Sequence, residues 1–96
     1  MRALLVAFHL PEGSSPGAHR AFRRAIYGEA TSSHGGRYQY RRPGLLDEIP
    51  HVRLYWGVVV VARSPWPRLR RALEDHGALY ATREVRPTAA DERALA

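Results

Sequence analysis

Two apolar runs, Ala3–Phe8 and Leu54–Ala62, each lead toward a helix that opens on Ser-Pro. Ser is a good helix N-cap and Pro suits the first helical position, so each run predicts a strand that feeds a helix. A strand-helix unit stated twice in 96 residues leaves room for one domain and for few ways of packing it.

The first run is apolar on both sides. Leu4, Val6 and Phe8 share one face, and Ala3, Leu5 and Ala7 the other. A turn-rich loop from His9 to Ser14 follows. Ser15 and Pro16 then open a helix whose stop is Gly28. Ala18, Phe22, Ala25 and Ile26 recur at helical spacing as its buried stripe, with Arg20, Arg23, Arg24 and Tyr27 mostly off it. Glu29–Gly36 reads as a polar loop, and Arg37–Arg41, alternating polar and aromatic, as a second strand. Leu45–Pro50 reads as a short connector with at most one helical turn, anchored by Leu45, Leu46 and Ile49.

Leu54–Ala62 reads as one continuous third strand. Ser64 and Pro65 repeat the cap grammar, Leu69, Ala72 and Leu73 supply a buried side, and Gly77 is the stop. Leu79–Val85 is the fourth strand. The domain thus covers residues 1–86. Residues 87–96 form a tail in which Thr88, with Asp91 three positions on, caps a last helical turn or two.

The order β-α-β-β-α-β predicts an α+β, ferredoxin-like antiparallel sheet, with strands one and three central and both helices on one face. A sheet with one open face alternates apolar and polar residues. The two central strands do not alternate. The face away from the helices therefore needs a cover, and a second copy packed sheet to sheet is the simplest one.

Composition excludes several classes. The chain has no cysteine, so neither a disulfide framework nor a cysteine zinc site is open to it. Neither apolar run approaches the length of a membrane span, and Met1-Arg2 leads into too short an apolar stretch for a signal peptide. A cytoplasmic protein without a membrane partner or a cofactor is expected. The net charge is +6, and all 15 Lys+Arg positions are Arg. Arg over Lys reflects a GC-rich genome as readily as selection. Clustering is another matter. Arg20, Arg23, Arg24, Arg37, Arg41 and Arg42 stand against Glu29 alone, a balance that suits a polyanion.

The segment Arg37-Tyr38-Gln39-Tyr40-Arg41-Arg42 is the best functional candidate. Alternation puts Tyr38 and Tyr40 on one face, where they can stack on bases, with Arg37, Gln39 and Arg41 on the other to meet phosphate. The competing reading is cross-strand packing with solvated arginines. His9, His34 and His51 are the candidates for acid–base chemistry, since imidazole serves both roles near neutrality. His9 with Glu12 lacks a recognised metal spacing, and a hydrogen-bonded loop histidine is its plainer reading. Asp47-Glu48 could hold Mg²⁺ and Gly35-Gly36 could cradle phosphate, but a solvated pair and a turn are the defaults.

In size, topology and inferred sheet-faced pairing, residues 1–86 resemble the small ferredoxin-fold subunit of the CRISPR adaptation complex. The stretch from Arg20 through Arg37-Tyr38-Gln39 is similar to that family's arginine-bearing first helix, glycine turn and following strand. The resemblance implies a dimeric, basic scaffold facing nucleic acid. Members carry an Asp at the end of strand one, associated with metal-dependent nuclease activity. This chain has His9 there, so that chemistry is not implied.

The sequence therefore reads as a non-catalytic homodimer that binds DNA or RNA. Two alternatives stay open. One is a protein-interaction or assembly subunit working through its apolar sheet face. The other is a metal-independent ribonuclease using His9 with His34 or His51.

Overall fold

The computed structural model describes residues 1–33, 35–36 and 38–96, with the backbone alone for Ser32, Ser33 and Tyr38. In chain order the elements are β1 (Ala3–His9), α1 (Pro16–Tyr27), β2 (Glu29–Ser33), β3 (Tyr38–Arg42), α2 (Leu45–Glu48), β4 (His51–Tyr55), β5 (Val58–Val61), α3 (Trp66–Asp75), β6 (Leu79–Val85) and α4 (Ala89–Leu95). The chain is α+β. Four strands form an antiparallel sheet in the order β4-β5-β1-β6, and β2 and β3 form a separate two-stranded ladder.

Local grammar explains most boundaries. The Ser15 hydroxyl accepts from the Ala18 N–H at 3.0 Å, and Pro16 occupies the first turn of α1. The helix ends where the Gly28 N–H reaches the Arg24 carbonyl at 2.9 Å. Thr88 caps α4 by accepting from the Asp91 N–H at 3.1 Å. Ser64 does not cap. Pro65 takes the N-cap position of α3 and makes no side-chain bond there.

The main core lies on the face that carries α1, α2 and α3. Val6 and Phe8 of β1 and Val59 and Val61 of β5 meet Phe22 and Ile26 of α1, Leu46 of α2, and Leu69 and Leu73 of α3. Ala18, expected in the buried stripe, is exposed.

Three sequence expectations change. First, Leu54–Ala62 is not one strand. The chain reverses at Trp56-Gly57, so β4 and β5 are neighbours that pair Tyr55 with Val58 and Val52 with Val60, with a bulge between Arg53 and Tyr55. Gly57 makes the reversal possible. Its φ is +78°, and a Cβ there would stand 2.6 Å from the Phe8 carbonyl oxygen. Second, Glu29–Ser33 is a strand, not part of a loop. It pairs with β3 outside the main sheet, so Tyr40 does not roof the core. The expected loop's His34 and the expected strand's Arg37 lie outside the described residues.

The third change concerns the face away from α1 and α3. Residues 87–96 are no mere tail there. Leu95 of α4 is buried against Ala3 and Val60, with Leu5, Val52 and Val85 around it. One half of this face is thus covered by the chain's own C-terminal helix. The other half is bare. Strand register places Ala7, Val58, Ala81 and Leu79 together on it, and Tyr55 beside Val58. Of the two β5 valines on this face, Val60 is covered and Val58 is half-buried.

The β2–β3 ladder stands off this body. The Cα radius of gyration is 14.7 Å, above the roughly 13 Å typical of a compact domain of this size. Its root is a close crossing of two glycines. A Cβ on Gly28 would lie 2.3 Å from the Arg42 carbonyl oxygen, and one on Gly44 would lie 2.2 Å from the Gly28 nitrogen. No helix among the described residues is long and apolar enough to cross a membrane.

Candidate nucleic-acid interface and an aromatic cleft

The arginines singled out from the sequence divide into two groups. Arg20 and Arg24, one turn apart on α1, lie 3.3 and 2.9 Å from the Glu29 carboxylate at the start of β2. Arg42 is the ladder partner of Glu29, so it leaves the ladder on the same face. Two arginines therefore pair with one acid, and a third shares its face of the ladder. Partial burial pushes the Glu29 carboxyl up, but the fields and hydrogen bonds of Arg24 and Arg20 together outweigh it and hold the group below its ordinary value. Tyr40 is two residues from Arg42 and thus on this face as well, paired with Thr31, and its side chain is 58% exposed.

Arg41 points the other way and is occupied. Its guanidinium forks onto Asp47 at 3.0 and 3.1 Å and donates to the Tyr27 carbonyl at 3.2 Å. Asp47 also accepts from the Gly44 N–H at 2.7 Å. The Arg41 hydrogen bonds, then that of Gly44, hold the Asp47 carboxyl below its ordinary value. Arg41 is a fastener between ladder, α1 and α2, not an open phosphate contact. The Asp47-Glu48 pair is likewise taken apart, since Glu48 accepts from Arg68 at 2.9 Å. Among the described residues no three His, Asp or Glu side chains converge as a metal site.

Arg23, also on α1, opens toward a different feature. A cleft of about 490 Å³ lies between α1, the end of β1 and the β4–β5 turn, lined by Phe8, His9, Leu10, His19, Phe22, Arg23, Tyr27, Trp56 and Gly57. Its floor is buried Phe8, Leu10 and Phe22. Its rim is exposed His9, His19, Arg23 and Trp56. The Trp56 indole, 59% exposed, is nonetheless held. Tyr27 meets it edge-on at 4.8 Å, and the Arg53 guanidinium lies over it at 4.9 Å. The Tyr27 hydroxyl accepts from the Gly57 N–H at 2.6 Å, and the Phe8 N–H donates to the Gly57 carbonyl at 2.8 Å.

The histidines separate on this geometry. Nδ1 of His9 is 2.8 Å from the Leu10 carbonyl, and that of His51 is 3.1 Å from the Ile49 carbonyl. His51 is aligned with Val61 and so with Leu4, at the opposite end of the sheet from His9. At 3.3 Å or so per residue the two stand roughly 17 Å apart along the strands alone. They share no reacting atom. His19 is the histidine that lines the same cleft as His9, and sequence reasoning passed over it. It passed over Trp56 and Arg53 too, because a continuous strand leaves no turn for them to build on.

Three depressed carboxyls give a pH signature. Glu84, held down first by its hydrogen bond from Arg2 and then by Arg63, joins Glu29 and Asp47. A carboxyl whose folded value is lowered stabilises the fold above its unfolded value, near pH 4, and that stabilisation is lost as pH falls through the folded value. Thermal unfolding followed by circular dichroism should therefore show a melting temperature little changed from pH 7 to 5 and falling steeply below about pH 4. Arg41→Gln should cost up to about 1 kcal/mol at neutral pH, since the pair is half exposed. The substitution should also flatten the acid limb. An acid limb identical to that of the unmodified protein would show that the Arg41–Asp47 pair contributes nothing.

Comparison with family models, with curated proteins and with solved structures finds no match to this chain.

Proposed function

We propose that the chain is a non-catalytic, homodimeric, ferredoxin-like protein that binds nucleic acid. In this reading the order β4-β5-β1-β6 is a ferredoxin-like sheet, with the β2–β3 ladder and α2 inserted between α1 and β4. The observation that carries the function is the ladder face where Arg42, which makes no ion pair among the described residues, shares a side with exposed Tyr40, next to Arg20 and Arg24 paired with Glu29. Arginine forks suit phosphate and an exposed tyrosine suits an unpaired base. The resemblance to the CRISPR adaptation subunit belongs to the same proposal, as a basic scaffold without the metal-dependent nuclease.

The bare half of the sheet supports self-pairing. Its Ala7, Val58, Ala81 and Leu79 form an apolar patch with Arg83 and His9 at its border, and a second copy packed on that patch is the occupant proposed for it.

A salt titration of affinity for single- and double-stranded DNA and RNA oligonucleotides tests the whole reading. The slope of log affinity against log salt should drop by roughly one unit or less for Arg42→Ala and again for Arg20→Ala. Tyr40→Ala should cost roughly 1–3 kcal/mol on single strands and leave the slope alone. Light scattering on the same samples should give a dimer that Val58→Glu dissociates, and RNA should be recovered intact after incubation in chelator. No binding at low salt would leave the assembly-subunit alternative as the better account. RNA cleavage lost on His19→Ala would instead favour the ribonuclease, now with His9 and His19 as its pair.

A further inference from the structure

The geometry points to a second binding site: the cleft between α1, the end of β1 and the β4–β5 turn takes one nucleotide unit, an aromatic base carrying a phosphate. This inference deepens the nucleic-acid reading and rests on it for its biological source, the unpaired terminal nucleotide of a strand.

Four observations carry it. The cleft's volume of about 490 Å³ falls in the range of pockets that enclose small ligands. Its floor is apolar and its rim cationic or imidazole, and no acid is among the lining residues. A neutral apolar ligand would leave Arg23 without a role, whereas a small inorganic anion would leave the aromatic floor unused. Arg23 makes no ion pair among the described residues, unlike Arg20 and Arg24 on the same helix.

The fourth observation is the state of Trp56. A tryptophan at a hairpin turn ordinarily loses conformational freedom when a ligand stacks on it. Here Tyr27 and Arg53 already hold the indole while most of it stays open. Pre-ordering of this kind favours binding because less freedom remains to be lost. A base inserted against Trp56 and above Phe22 directs its phosphate to the rim, where Arg23 and His19 supply donors, while His9 already donates to the Leu10 carbonyl. No covalent step is involved.

Fluorescence gives a direct test, because the chain has 2 Trp. Trp66→Phe leaves Trp56 as the sole reporter. Adenosine 5′-monophosphate should quench it saturably. Adenosine should bind roughly tenfold more weakly, and inorganic phosphate should cause no quenching. Arg23→Gln should abolish the preference for the monophosphate over the nucleoside while circular dichroism stays unchanged. A single-stranded oligonucleotide with a 5′-phosphate should compete with the monophosphate more strongly than one without it. If only the free nucleotide binds, the strand end is not the source and that part is overturned. Absence of saturable quenching by the monophosphate at millimolar concentration overturns the site. If oligonucleotides still bind in that case, the ladder-face reading stands alone. Should Arg23→Gln perturb the fold, Trp56→Leu, at an exposed position, supplies the second test by competition of the monophosphate against a fluorescent analogue. Unchanged affinity there would also overturn the proposal.

Discussion

Gly28→Ala should destabilise the protein by about 3 kcal/mol or more, and should do so by unseating the β2–β3 ladder. Two separate faults add. Gly28 has φ +82° with ψ −178°, a conformation that residues with a Cβ avoid. The Cβ would also sit 2.3 Å from the Arg42 carbonyl oxygen and 2.8 Å from the Gly44 nitrogen. Both obstacles are backbone, so no side-chain rotation relieves them. Urea unfolding should show a lower midpoint, and amide exchange in β2 and β3 should speed up more than in β1 or β6. A variant as stable as the unmodified protein would mean that the crossing at Gly28 and Gly44 is looser than described. If the variant folds, binding through Arg42 and Tyr40 should suffer most, because the ladder's root sets their position.

Gly57→Ala should cost about 2–3 kcal/mol and deform the cleft. The left-handed backbone is again at fault, with φ +78° and the Phe8 carbonyl oxygen 2.6 Å from the added Cβ. Relief requires the turn to move off β1. That movement breaks the Phe8 to Gly57 bond and the bond from Gly57 to the Tyr27 hydroxyl. Trp56 then loses its fixed edge contact with Tyr27. The measurements are the melting temperature and near-ultraviolet circular dichroism, the second of which reports the packed aromatic cluster. A normal aromatic spectrum with a lowered melting temperature would separate strain from the loss of the cluster and count against this account of the cleft.

Local signals in the chain were enough for the elements whose grammar is self-contained. Ser15-Pro16 and Gly28 bound α1, Leu69 and Leu73 mark the buried side of α3, and Thr88 with Asp91 opens α4. Leu79–Val85 is a strand over the range its residues suggest. The rest depends on pairing that no local pattern encodes. Glu29–Ser33 has no apolar alternation and becomes a strand only because β3 lies against it. Leu54–Ala62 is apolar throughout, so its one glycine did not stand out as a turn, and the bulge before Tyr55 blurred the period further. The outward face of the sheet is legible as apolar, but that the chain's own α4 covers half of it is not. A helix with one buried leucine, Leu95, says little until its neighbours Ala3 and Val60 are known.

The candidate site was legible as charge and illegible as connectivity. Sequence proximity grouped Arg41 with Arg42, yet alternation sends one to Asp47 and the other to the Glu29 face. Arg23 and Arg24 are adjacent in the chain but serve the cleft and the ladder respectively. Counting arginines could not have separated them. Only the strand register and the helix rotation do so.

Tyr27 belongs to both surfaces at once. Its carbonyl accepts from Arg41 at the ladder's root, its hydroxyl accepts from Gly57, and its ring lies against Trp56 and beneath Arg53. Changes on the two sides of this residue are therefore not energetically independent. Substitutions at Asp47 and at Trp56 touch one connected set of bonds, and their separate costs should not sum to that of the double variant. The sign of the departure carries information. A double variant less damaged than the sum means that one loss already slackens the other side, so that Tyr27 ties the cleft and the ladder into one mechanical unit.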